Sequence, residues 1–264
     1  MRRFLLVLSL LVPQTVWAWG NLGHQTVGAI ADTKLTPAAR TEVRKLLGKG
    51  QSLMSVATKA DQIRSSRPET APWHFVDIPK EEDAFDEARD CANDDCVIDR
   101  IEEFKGVLAD TSASKAKRKE ALIFLVHFVG DLHQPMHCAE ATLPNGQSDR
   151  GGNSVKVKGL GQGNNLHRVW DASLLEEEGL DRADLVSHLL DDVELDEDET
   201  VQGTPREWAE AAHKLARDNA YDMLQQPGNK IDQDYIDTNI EVVDQQLWRA
   251  GIRLAHIINE ALAP

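Results

Sequence analysis

Along most of this chain apolar residues recur three and four positions apart, the period of helices packed on one side. Pro37 to Leu47 shows this clearly, with Thr36 placed to cap the helix and Gly48 to stop it. Leu53 to Arg64 predicts a second helix, with Val56, Ala57, Ala60 and Ile63 on its apolar side and Asp61 beside them. The same period predicts helices over His24 to Thr33, Val97 to Ala109, Lys117 to Leu132, Leu180 to Leu190, Pro205 to Leu224 and Tyr235 to Leu262. Two stretches break the pattern. Pro72 to Pro79 reads as extended, and Ser154 to Lys158, where Val155 and Val157 alternate with lysines, reads as the one short strand or hairpin. No linker divides the chain, so one large helical core is expected.

The pattern fails to explain one helix. Ala121 to Cys138 reads A-L-I-F-L-V-H-F-V-G-D-L-H-Q-P-M-H-C, an apolar run that Pro135 should end near His133. His127 and Asp131 stand at i and i+4, one turn apart on one face. A polar pair on so apolar a helix is costly unless satisfied, and a divalent cation satisfies both members at once. His137 follows just past the break. Two satisfied core histidines and a helix-end carboxylate are the alternative. Asn165 to Asp171 then repeats the spacing with His167 and Asp171. One such pair is weak evidence; two in one chain with further histidines are strong.

Other candidates stand singly. The segment W-G-N-L-G-H carries Trp19 and His24, and Trp19 freed by cleavage would offer its α-amine and carbonyl as ligands, the alternative being a frayed terminus beside a lone histidine. Asp61 is partly buried or a ligand, with Arg64 three residues on, and His74 lies between rings in P-W-H-F-V-D-I-P, with Phe75 and Asp77 adjoining. Asp149 to Asn153, D-R-G-G-N, is a loop whose glycines let backbone pass close to something. His188, His213 and His256 have no partner at ligand spacing and read as surface or packing residues. No P-loop or G-x-S-x-G motif appears, which removes support for nucleoside triphosphate use and serine hydrolysis.

Composition adds the compartment. Residues 1–18 carry Arg2 and Arg3, the apolar run Phe4 to Val12 and then Val16-Trp17-Ala18, the pattern of a secretory signal peptide cut before Trp19. The expectation is an exported protein, periplasmic or secreted, with no membrane span and with residues 19–264 as its working domain. The formal charge of −15, or −17 without Arg2 and Arg3, argues against holding nucleic acid by a broad basic surface. Twelve acidic residues lie between Glu176 and Glu199 against the single base Arg182, a solvated face by expectation. Of three cysteines, Cys91 and Cys96 close a short loop and are the favoured disulfide; Cys138 is then a free thiol, read as a buried bystander rather than a soft ligand.

Collected, the Trp19 amine, His24, Asp61, His74, His127, Asp131, His137, His167 and Asp171 form a mixed nitrogen and oxygen set that suits three zinc ions. With W-G-N-L-G-H, A-D-Q-I-R, W-H-F-V-D, H-F-V-G-D-L-H-Q-P-M-H, D-R-G-G-N and N-L-H-R-V-W-D, their order resembles the zinc-dependent single-strand nucleases of the P-one and S-one type. The resemblance implies an all-α fold, a single mostly helical domain shared with bacterial zinc phospholipases C, here with one short β-hairpin. It implies Asp61, His74 and His127 on one zinc, Trp19 and His24 on a second with Asp131 bridging the two, and His137, His167 and Asp171 on a third. It further implies that Arg64 binds phosphate, Phe75 stacks on a base, Asp77 reads the base edge, Asn153 belongs to the substrate site and His133 supports the ligands without taking metal. The expected activity is a monomeric endonuclease that cuts single-stranded DNA and RNA to 5′-mononucleotides, with 3′-nucleotidase activity beside it, through a zinc pair that acidifies a shared water for in-line attack on phosphorus. The rivals are a phospholipase C on the same scaffold and a non-catalytic periplasmic zinc-binding protein. Against the first, Asp171 stands where those phospholipases carry glutamate, and Phe75 with Asp77 suits a flat base better than a choline head group. Three cysteines allow one disulfide where fungal members of the family have two.

Overall fold

The computed structural model describes residues 19–160 and 164–263; the expected signal segment, residues 1–18, lies outside them. Among the described residues the chain forms thirteen α-helices and no extended sheet. The first are α1 (Asn21–Lys34), α2 (Pro37–Leu47), α3 (Leu53–Val56), α4 (Lys59–Arg64), α5 (Glu87–Asp90), α6 (Val97–Ala109) and α7 (Lys115–Leu132). They are followed by α8 (Leu166–Arg168), α9 (Leu174–Glu178), α10 (Arg182–Asp192), α11 (Glu197–Thr200), α12 (Pro205–Leu215) and α13 (Gln233–Ala261).

Helix α7 is the axis. Ser114 caps its start by accepting from the Lys117 amide at 3.3 Å, and every residue from Ala121 to Leu132 is buried. A helix apolar on all sides has to be surrounded. Here α6 and α13 pack against it most extensively, and α1, α2, α3 and α4 also touch it. Helix α13, 29 residues and about 43 Å long, starts at the Asp232 cap and closes the core against α1, α6, α7 and α9. It approaches α1 at Gly251, where a Cβ would fall 2.5 Å from Ile30 Cγ2, so only glycine permits the contact.

Four details differ from the sequence expectation. Helix α1 begins at Asn21, ahead of His24. Leu53 to Arg64 is not one helix but α3 and α4, broken at Ala57 and Thr58. The carbonyl of Ala57, which an unbroken helix would commit to Asp61, instead accepts from His127 Nδ1 at 2.7 Å. The hairpin around Ser154 to Lys158 is reduced to a single antiparallel bridge between Lys156 and Asn165, because Lys158 turns away to bridge in parallel with Lys230. The stretch from Pro72 is extended only after His74: Pro68–His74 winds as a 3₁₀ helix, and the residues beyond it run beside the segment that follows His137, with the Val76 amide donating to the His137 carbonyl at 2.8 Å. Cys91 and Cys96 form the expected disulfide, and Cys138 is fully buried, its thiol facing the Leu132 carbonyl and pushed up by burial and by Asp131. No helix among the described residues is long and apolar enough to cross a membrane.

Candidate metal centre

Six short segments deliver the candidate ligands to one end of α7. His24 comes from the first turn of α1, Asp61 from α4, His74 from the end of the 3₁₀ helix, and His127 and Asp131 from α7 itself. Pro135 ends α7 and opens the single turn Pro135–His137, which turns His137 back to the same place. His167 lies on α8, and Asp171 in the π turn Val169–Ser173 that continues it, a helical distortion common where side chains must converge. All eight side chains are buried.

The side chains fall into three groups whose ligand atoms lie within 4.8 Å of one another: Asp61, His74 and His127; His24, His127 and Asp131; His137, His167 and Asp171. Asp131 joins them. Its carboxylate lies 3.3 Å from His24 Nε2, 2.9 Å from His74 Nδ1, 3.3 Å from His127 Nε2 and 3.9 Å from His137 Nδ1. His127 Nε2 stands 3.6 Å from Asp61, and His167 Nε2 3.3 Å from Asp171.

The hydrogen bonds say what such a site is built to hold. His127, His137 and His167 each use Nδ1 to donate to a backbone carbonyl, of Ala57, His74 and Gly151 respectively, at 2.6–2.7 Å. Their Nε2 atoms then point inward, buried and without a hydrogen-bond partner, as do His74 Nε2, both ring nitrogens of His24 and both oxygens of Asp61. Buried polar atoms left in this way are costly. A set of inward lone pairs whose outer nitrogens are fixed by carbonyls is the arrangement that metal-binding histidines adopt. Burial holds His127 far below the usual imidazole range, His137 at about 4 and His167 at about 3, so all three are neutral and able to ligate at pH 7. Burial alone would raise Asp131, but His127, His24 and His74 outweigh it and keep it ionised. Burial raises Asp61 and Asp171; a Gln134 side chain donating to Asp171 Oδ1 at 2.5 Å works against the rise. Each orphaned atom in the cluster is thus of a kind a divalent cation satisfies.

The remaining sequence candidates surround these groups. Arg64 reaches within 4.0 Å of Asp61 with a quarter of its side chain exposed. Phe75 and Asp77 are half-buried on the segment after His74. Burial, with the carboxylates of Glu140 and Asp149 nearby, pushes Asp77 up to about 7. Asn153 Nδ2 donates to the Arg150 carbonyl at 2.9 Å, inside its own loop. Trp19 is wholly buried, its indole donating to the Gly130 carbonyl at 2.7 Å. His133 is turned away from the cluster: it donates to the Val129 carbonyl and accepts from Arg253 at 2.7 Å, which ties the end of α7 to α13.

Sequence reasoning missed the residues that hold the candidate ligands in place. Asp149 is fully buried and accepts from the amides of Ala141 and Gly152 and from the Tyr221 hydroxyl, which fixes the loop that presents Gly151 to His167. The glycines there had given the only hint, and Gly151 bears it out: a Cβ would meet the Met136 carbonyl at 2.6 Å. Gln134 was passed over because an amide beside three histidines carries no spacing signal. His213 packs between the carbonyls of Glu82 and Cys138, as expected of a packing residue, and His256 pairs with Glu260. His188 departs from expectation: Asp192, one turn on at i+4, pairs with it, a spacing the sequence reading overlooked, and the fold brings Glu178 and Asp244 to it.

The family model described as S1/P1 Nuclease matches residues 19–263. Endonuclease 3 of Arabidopsis thaliana is 32% identical over 280 residues, covering 97% of this chain and 92% of the relative. Nuclease P1 of Penicillium citrinum is 28% identical over 92% of this chain and 97% of its own length. Nuclease S1 of Aspergillus oryzae is 33% identical over a shorter span, 64% of this chain and 58% of the relative.

Proposed function

Since this chain belongs to the S1/P1 nuclease family, we propose that it is a three-zinc phosphodiesterase that cuts single-stranded DNA and RNA to 5′-mononucleotides and also removes 3′-phosphate. The observation that carries this reading is Asp131, one buried carboxylate shared among His24, His74 and His127 with a third ligand group beside it. Asp61, His74 and His127 would hold one ion, His24 and the Trp19 amine a second, and His137, His167 and Asp171 a third, with Asp131 between the first two. Zinc bound there would supply Lewis acidity to a phosphodiester and to the water that attacks it. Arg64, at the edge of the first group, takes negative charge from the phosphate. Phe75 stacks on a base and Asp77 meets its polar edge, and a paired duplex hides the ring face that Phe75 needs. His133 acts only by holding α7 in place. Export is part of the proposal, with a signal segment removed before Trp19; the Cys91–Cys96 disulfide suits an oxidising compartment. We take the chain to act as a monomer.

The test is the purified mature protein with zinc quantified, offered single-stranded and duplex DNA with and without chelator. Rapid cleavage of the single strand, loss with chelator and recovery with zinc are expected, and Asp131→Asn should lower the rate by more than about 100-fold, since losing even a supporting partner of a ligand costs up to that much. A zinc-loaded protein inert on nucleic acid but active on a phospholipid would overturn the reading in favour of the phospholipase. One inert on both would be a zinc-binding protein only.

A further inference from the structure

Among the described residues, outside the groups joined by Asp131, one other cluster combines an imidazole with carboxylate oxygens that are buried without a hydrogen-bond partner. Glu178 lies at the end of α9, His188 within α10 and Asp244 within α13, and their ligand atoms lie within 4.8 Å of one another. Asp244 is 7% exposed; its Oδ2 faces His188 Nε2 at 3.2 Å, while its Oδ1 is buried with no hydrogen-bond partner. Glu178 Oε1 is buried and unpartnered in the same way. On its other side His188 Nδ1 meets Asp192 Oδ2 at 2.8 Å. A carboxylate accepting from Nδ1 leaves Nε2 as the inward lone pair, the support that metal-binding histidines receive.

An ion pair alone leaves these atoms unexplained. A protonated His188 would satisfy one oxygen each of Asp192 and Asp244 and nothing more. Asp244 Oδ1 and Glu178 Oε1 would each stay buried without a partner, and burial with Asp244 close by already pushes Glu178 up to about 7. The cluster borders a cavity of about 410 Å³ that also presents Asp192, Glu194, Asp237 and Glu241. Such a cavity gives a cation an acidic entrance and water for its remaining coordination position. One nitrogen and two carboxylate oxygens favour a cation of borderline hardness over calcium or magnesium, which prefer oxygen alone.

We propose that Glu178, His188 and Asp244 form a further zinc site, separate from the catalytic groups, that clamps the acidic segment around α9 and α10 onto α13. It shares no ligand with those groups and does not rest on the nuclease reading. Glu178→Gln and His188→Gln should each hold one zinc fewer per chain than the wild type, cleave single-stranded DNA at the wild-type rate, and lose thermal stability in zinc-containing buffer. Equal zinc content in the wild type and both variants would overturn the proposal. A measurement on the unaltered protein guards against variants that fail to fold: in crystals equilibrated with zinc and then rinsed free of it, anomalous scattering at the zinc edge should place an ion among the three side chains. No peak there, or one that vanishes on rinsing, overturns the site.

Discussion

Asp77 shows how one residue carries a measurable consequence. It is placed by the extended stretch after the His74 turn, and its carboxyl is lifted to about 7 by burial and by Glu140 and Asp149. A carboxyl raised on folding favours the protonated folded state, so its contribution is complete below the ordinary range near pH 4 and is lost as pH climbs through about 7. Asp77→Asn resembles the protonated form at every pH. The variant should therefore melt together with the wild type at pH 4 and higher than it at pH 8, by about 2–4 °C, the shift that ~1 kcal/mol makes in a domain of this size. Matching melting curves at pH 8 would show that Asp77 is not held under strain by its neighbours. The identity of Asp77 as a candidate came from a resemblance; its acidity did not, because Glu140 and Asp149 reach it from distant sequence. The candidate ligands were legible for a local reason. A histidine and an aspartate one turn apart on an apolar helix stand out against their surroundings, whereas His188 and Asp244 are 56 positions apart and nothing near either names the other.

At the scale of elements, spacing predicted α2, α6, α7 and α13 almost to the residue: α2 and α13 are amphipathic and open on the Thr36 and Asp232 caps, α6 is amphipathic, and α7 is an apolar run that opens on Ser114 and is ended by Pro135. It failed between Leu53 and Arg64, where a long-range bond from His127 outweighs local helical preference, and at the hairpin, where the partner strand lasts for one bridge. Helix α7 also carries a constraint that periodicity does not show. Gly130 sits where Trp19 and His24 cross the helix, and a Cβ there would lie 2.9 Å from His24 Nδ1 and 3.9 Å from Trp19 Cδ1. Gly130→Ala should displace His24 from Asp131, at a cost of about 1–3 kcal/mol for overpacking. We expect one zinc fewer and a severe loss of cleavage in a protein still helical by circular dichroism. Gly106→Ala in α6 is the control: nothing lies within 4 Å of its Cβ, and alanine in an exposed helix should add up to ~1 kcal/mol of stability. If Gly130→Ala kept its zinc and its rate, His24 would not be held by contact with α7.

For the molecule as a whole, acidic residues outnumber basic ones by 44 to 29, yet its proposed substrate is a polyanion. Under that proposal the attraction comes from the cations that the ligand groups would hold, and anything that removes one cation should disable the enzyme without unfolding it. The N-terminus is the place where such control is simplest. Trp19 is fully buried against Gly130, and His24 close by faces Asp131, so Trp19 is fastened beside the candidate ligand groups. A terminal α-amine has an ordinary pKa of about 7.7–8.0 and can give up its proton to a zinc ion, its own carbonyl closing a five-membered chelate. The same nitrogen in an uncut Ala18-Trp19 bond is an amide with no lone pair to offer. Removal of residues 1–18 would therefore complete the ion that shares Asp131, and the precursor would stay inactive until export. The comparison is between correctly processed protein and a form retaining one extra residue ahead of Trp19, both made in the same host and measured for zinc and for single-strand cleavage. The extended form should lack one zinc and cleave at a small fraction of the processed rate while melting within a few degrees of it, because the Trp19 ring and its bond to Gly130 are unchanged. Full zinc content with undiminished cleavage in the extended form would reduce Trp19 to a packing residue and leave His24 and Asp131 to hold that ion without it.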